Sequence, residues 1–215
     1  MSSNQWKLCT SHLPKTKNSF SLKVIKTKQG HLVLFVALVF WGCASNIYQE
    51  MAISSPDLLV SLEDSLLHSQ PSTAILSSIV LAHKTLGQDA KNNENYENAI
   101  IHYSRALKLS PNDTVSMYNT LMIQGHILYG SGKKDKLWDA IQSYNKAAIV
   151  LENLGEPHYY IGKSYHKISD KDFDLIIESY DRALDLELSP KLRGATIEAR
   201  KNAMLREKKL KDFWK

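Results

Sequence analysis

Residues 95–111 read Asn-Tyr-Glu-Asn-Ala-Ile-Ile-His-Tyr-Ser-Arg-Ala-Leu-Lys-Leu-Ser-Pro. Ala99, Tyr103, Ala106 and Pro111 stand at offsets of four, three and five. The first three share one face of an α-helix, because residues three and four apart stack on the same side. Two small residues around an aromatic let a neighbouring helix backbone come close while the ring fills the space beyond. Pro111 cannot continue the helix and marks its stop. The spacing predicts the second helix of a helical hairpin over Asn95 to Pro111.

The helix before it carries Leu86-Gly87, where a missing side chain permits a close crossing. The small-aromatic-small triplet then recurs as Ala140, Tyr144 and Ala147. A front helix from about Val115 to Tyr129, with Leu121, Gly125 and Leu128, precedes that recurrence. A third unit follows, with Ile161-Gly162 and Tyr165 in front and Tyr180 and Ala183 behind; Ile176 takes the first small position. Ser189-Pro190 closes it. Two turns, Gly130 to Asp135 and Ser169 to Asp172, read as slightly long loops.

These positions resemble the 34-residue tetratricopeptide repeat (TPR), laid over Val80 to Asp113. Gly87, Ala99 and Ala106 match the family's small residues, Tyr103 its aromatic and Pro111 its closing proline. His83 stands where the family has tryptophan, and Ala90 where it has the tyrosine of the first helix. The resemblance implies an all-α solenoid of about three helical hairpins over residues 72–190. An N-terminal helix (56–71) precedes it, with Leu58, Leu59, Leu62, Leu66 and Leu67 as its apolar stripe. A C-terminal capping helix (191–215) follows, with Leu192, Ala195, Ala199, Ala203 and Leu210 turned inward. The polar outer face of that last helix suits the end of a stack; its basic face could instead touch anionic lipid or a partner.

The remaining segments concern address. The chain has 215 residues, 43% of them apolar, which allows one sizeable core. The formal charge of +5 comes from Lys7, Lys15, Lys17, Lys23, Lys26 and Lys28, which lie before Cys43 in a stretch without Asp or Glu; 27 basic residues less these six leaves 21 against 22 acidic ones. A near-neutral remainder gives no electrostatic footprint for nucleic acid. Leu32 to Trp41 is an unbroken apolar run, too short for an ordinary membrane-spanning helix and of the right length for the apolar part of a signal peptide. It ends in Gly42-Cys43-Ala44-Ser45. This is similar to the lipobox of bacterial lipoproteins, although Phe40 and Trp41 are bulkier than the usual residues there. The similarity implies a basic leader and signal over 1–42, lipidation of Cys43 and a tether over 43–55. It also implies a place on the periplasmic side of the outer membrane if the bacterium is Gram-negative, since Ala44 is not aspartate. Translation from Leu22 or Val24 would give a signal of ordinary length. A short buried helix or an amphipathic anchor is the other reading of the run.

No catalytic constellation stands in the sequence: no Walker loop, no His-Glu-x-x-His and no Gly-x-Ser-x-Gly. His126, His158 and His166 fall on front helices without a short ligand pair, so no metal or cofactor is expected. The family's groove-facing positions map onto Lys84, Gln88 and Lys91, then Met122, His126 and Tyr129, then Tyr159, Lys163 and His166. This mix suits an extended or helical peptide, with aromatic faces for area and polar tips for hydrogen bonds. The chaperone clamp of related proteins does not fit, because only Lys84 matches among Lys84, Gln88, Ile123, Glu156 and Tyr160. The resulting expectation is a non-enzymatic, lipid-anchored scaffold of the bacterial envelope that holds a protein or peptide partner. A solute-binding accessory of a transporter and a eukaryotic or organellar adaptor with a targeting presequence are the other readings.

Overall fold

The computed structural model describes residues 47–169 and 171–214. The apolar run and Cys43, with the lipidation assigned to it, lie outside the described residues. Among the described residues the chain is helical, with no strand. Residues 47–54 form α1, followed by α2 (Pro56–Ser61), α3 (Glu63–His68), α4 (Thr73–Asn92), α5 (Tyr96–Leu109), α6 (Thr114–Ser131), α7 (Lys134–Val150), α8 (Glu156–Ile168), α9 (Phe173–Asp185) and α10 (Pro190–Phe213). The hairpins α4–α5, α6–α7 and α8–α9 stack in chain order, each front helix packing on the back helix before it. The all-α, TPR-like solenoid expected from the sequence is the observed fold.

Local chemistry fixes several helix starts. The side chains of Ser72, Asn95, Asp113 and Ser189 accept from the backbone N–H three residues on, at 3.4, 3.3, 2.9 and 3.3 Å. Each satisfies one N–H that a helix start leaves without an intrahelical partner.

The triplets sit where their spacing put them. Ala99, Tyr103 and Ala106 are buried, as are Ala140, Tyr144 and Ala147. Each back-helix tyrosine lies against the glycine of its own front helix. A Cβ built on Gly87 would stand 3.1 Å from the Tyr103 ring, on Gly125 2.3 Å from the Tyr144 ring, and on Gly162 2.7 Å from the Tyr180 ring. The glycines thus set the distance between the helices of each hairpin. Ile176 and Tyr180 fill the third hairpin's core with Ala203 of α10.

Four expectations change. The segment read as a tether is helical over 47–54, because Ala52 joins Leu59, Ile79 and Ala82 in a buried cluster that holds the N-terminal helices against α4. The N-terminal helix is two short ones, broken at Leu62, and buries Leu59 and Glu63 while Leu58 and Leu62 stay exposed. The long loop after α6 is short: α6 runs on to Ser131, and Gly132 turns the chain in the left-handed region (φ 71°). The inner face of α10 is turned, with Thr196 and Ala203 buried and Ala195 and Leu210 exposed. Thr196 enters the interior because its hydroxyl donates to the Leu192 carbonyl at 2.7 Å, so its burial leaves no polar atom unmet.

One junction was not foreseen. The linkers after α7 and α9 pair side by side: Gly155 N–H donates to the Glu187 carbonyl and Glu187 N–H to the Asn153 carbonyl, both at 2.9 Å. A Cβ on Gly155 would stand 2.3 Å from the Ala183 carbonyl oxygen, so this approach admits only glycine.

Candidate functional site

The front helices α4, α6 and α8 share a face, and polar side chains link them across it. Lys84 of α4 pairs with Asp113 at 2.8 Å, at the start of α6. Lys91 donates to Asn119 Oδ1 at 2.9 Å. Gln88 donates to Asn92 at 2.8 Å and accepts from the Tyr103 hydroxyl at 3.3 Å. These three residues from the first unit are therefore engaged within the protein: Lys84 and Lys91 brace the α4–α6 junction, and Gln88 ties α4 to α5.

The second and third units build an aromatic patch. His126 lies edge-on to Tyr160 (ring centres 4.5 Å apart), and Tyr160 stacks on Tyr144 at 5.4 Å. Tyr96 reaches the same imidazole at 5.9 Å, and Tyr159 meets Tyr160 edge-on at 5.1 Å. His126 Nδ1 and the Tyr144 hydroxyl are joined at 2.9 Å. Into this patch comes the Lys163 ammonium, 5.4, 5.5 and 5.7 Å from the ring centres of Tyr129, Tyr159 and Tyr160. Lys167 stands 4.4 Å from the Tyr129 ring and donates to its carbonyl at 3.2 Å. The ring faces carry partial negative charge and hold the ammonium in place of a carboxylate.

Burial governs the titration of these groups. Burial first, and then the Lys91 and Lys163 ammoniums, push the His126 imidazole down to about 4. Burial pushes the Tyr160 phenol up to about 12 and raises those of Tyr144, Tyr129 and Tyr159. Burial and then the neighbouring Lys167 lower Lys163 from its ordinary value. At neutral pH the imidazole and phenols are uncharged.

This has a consequence for stability. An imidazole near 4 when folded and near 6.5 when unfolded takes up its proton first in the unfolded chain as pH falls. Its contribution is complete above about pH 6.5 and is lost between there and about pH 4, an effect on the order of 3 kcal/mol. His126→Gln, which keeps a polar contact for Tyr144, should flatten the fall in urea-unfolding free energy between about pH 6.5 and about pH 4.5. An unchanged slope would assign the fall to other groups, His102 and His158 being the histidines also lowered by burial.

Of the nine mapped positions, the structure brings His126, Tyr129, Tyr159 and Lys163 into one patch. Met122 is not part of it. Its side chain is fully buried among Tyr118, Ala140, Tyr144 and Ile161, since a thioether without a polar tip gains more in the core than on a wet face. His166 is bonded to Arg206 of α10. Sequence reasoning did not assign Tyr96, Tyr160 or Lys167 to the site. The Tyr159-Tyr160 pair at the start of α8 was the signal for Tyr160: neighbours on a helix point about 100° apart, so Tyr160 packs toward the second hairpin's core and Tyr159 toward the third's. No group of three or more His, Cys, Asp or Glu able to hold a metal exists among the described residues.

The tetratricopeptide-repeat family matches this chain over residues 80–113. No curated protein matches it. Similar solved structures include MamA, residue 41 to its end, from Desulfovibrio magneticus RS-1, with 18% identity, a TM-score of 0.44, and 78% of this chain and 93% of that chain covered. A thermophilic TPR protein of Thermus thermophilus is similar at 14% identity with a TM-score of 0.36, over 78% of this chain and 94% of that one. The chain thus carries a tetratricopeptide repeat at residues 80–113 within a TPR-like solenoid of stacked helical hairpins.

Proposed function

We propose that this protein is a scaffold that holds a segment of a protein partner on its front-helix face, and that it is tied to the bacterial envelope by a lipid on Cys43. The observation that carries the binding reading is Lys163. Its half-buried ammonium sits among Tyr129, Tyr159 and Tyr160, and it has no carboxylate partner among the described residues. An incoming peptide supplies what is missing: a backbone carbonyl or a carboxylate for the ammonium, and flat groups for the exposed ring edges. Holding a peptide needs no cofactor and no reacting group. The anchor reading rests on the apolar run Leu32–Trp41 and the Gly42-Cys43 that ends it.

The test places a photo-crosslinking amino acid at Tyr159 in the native host, with Ile149 on the exposed side of α7 as control. A discrete crosslinked partner at 159, absent at 149, is expected. Lys163→Ala with Tyr129→Ala should reduce its yield about tenfold without changing helical content. Equal crosslinking at both positions would defeat the binding reading. Intact mass of the same membrane-derived protein, against Cys43→Ala, decides the anchor: acyl groups on a chain beginning at Cys43 support it, and an unmodified leader overturns it.

A further inference from the structure

α10 stands in the stack as a front helix. It packs on α9 as α6 packs on α5 and α8 on α7. Arg193 donates to the Leu184 and Leu186 carbonyls at 3.0 and 2.9 Å, tying its start to the end of α9, and Arg200 is ion-paired with Asp181. The step from Tyr144 to Tyr180, and from Ala147 to Ala183, carries Ile161 to Ile197. Ile161 is buried at 5% exposure in a hairpin completed by α9, whereas Ile197 is 53% exposed. In the three hairpins a back helix covers the front helix it follows; no helix of the described residues does so for α10.

What remains is an open groove of about 810 Å³ between α9 and α10. Leu184 forms one wall, and Ile197, Met204 and Leu205 form the other. Positions 197, 201, 204, 205 and 208 recur at helical spacing, so the apolar residues and two lysines share one stripe. The groove also carries Asp181, Glu207 and Asp212, of which Asp181 is paired with Arg200 and Glu207 with Lys211; Lys201 and Lys208 line it with no ion-pair partner among the described residues.

We propose that this groove seats an amphipathic helix of a protein partner, in the place a fourth back helix would take. Its apolar side meets Ile197, Met204 and Leu205, and acidic residues at its edges meet Lys201 and Lys208. The lysine stems extend the apolar wall while their ammoniums select the charge. The chain's own α9 has this chemistry: Phe173, Ile176, Tyr180 and Ala183 inward, and Asp174, Glu178, Asp181 and Asp185 against one arginine, Arg182. Like charge disfavours a second copy of α10. The surface is separate from the Lys163 patch and does not depend on it.

The probe is a fluorescent peptide of residues 173–185, titrated with the full chain, beside a version in which Asp174, Glu178, Asp181 and Asp185 are lysine. Saturable binding of the first is expected, with the second roughly tenfold weaker or more. Lys201→Glu with Lys208→Glu should weaken the first several-fold, and Ile197→Asp with Met204→Asp should abolish its binding. Lys163→Ala should leave it unchanged. All four groove positions are exposed, so circular dichroism should show these variants folded. Absence of saturable binding, equal affinity for both peptides, or indifference to the Ile197 and Met204 changes overturns the proposal. So does sedimentation with phosphatidylglycerol vesicles by a chain that ignores the peptide, which would make the stripe a lipid surface.

Discussion

Tyr144→Ala is expected to lower the unfolding free energy by about 4 kcal/mol, the cost of emptying an aromatic site that cannot collapse. The ring is fully buried and stacks on Tyr160 at 5.4 Å. Its hydroxyl meets His126, so the truncation also strips a partner from a mostly buried imidazole. Gly125 supplies a second arm. A Cβ there would stand 2.3 Å from the Tyr144 ring, and that ring has no free space to retreat into. Gly125→Ala alone should therefore cost about 2 kcal/mol, strain outweighing the gain of about 1 kcal/mol that alanine brings to a helix interior. In the Tyr144→Ala background the clash is gone, and the same change should turn neutral or favourable. Urea unfolding of the two single variants and the double closes the cycle. Additive losses would mean that the glycine and the ring do not set the distance between α6 and α7.

That pair also shows why the fold was legible in the sequence. A glycine, and a tyrosine between two alanines, recur because backbone proximity admits few residue types, and so Ala99, Tyr103, Ala106, Ala140, Tyr144 and Ala147 all reach the core. The candidate site was legible only in part. Mapped positions share a helix face, but spacing does not say what each side chain finds there. Lys84 finds Asp113, Lys91 finds Asn119, and Met122 finds the core. Tyr96 and Tyr160 reach the patch from the start of a back helix and from beside a mapped position, through three-dimensional contacts that a repeat register does not encode. Gly155 was silent for the same reason, since its neighbour, the Ala183 carbonyl, lies one helix away.

His83, which departs from the family's tryptophan, explains itself through Glu63. Glu63 on α3 is 6% exposed, an uncommon place for a carboxylate. It accepts from His83 Nε2 at 3.0 Å and from Arg105 Nε at 2.7 Å, and His83 Nδ1 lies 3.1 Å from His102 Nδ1. The network joins the N-terminal helices to both helices of the first hairpin. Glu63→Leu should cost about 3 kcal/mol, because His83 keeps its burial and loses its acceptor. Arg105, with a third of its side chain exposed, can turn to water and limits the loss. Amide hydrogen exchange should quicken across residues 47–68 and not across α6–α9, since only the first hairpin shares the network. Adding His83→Phe should recover part of the loss: removing both members of a buried polar pair costs less than stranding one. If the double variant is no more stable than Glu63→Leu, the cost lies in packing around residue 63, and His83 is incidental to how α3 is held.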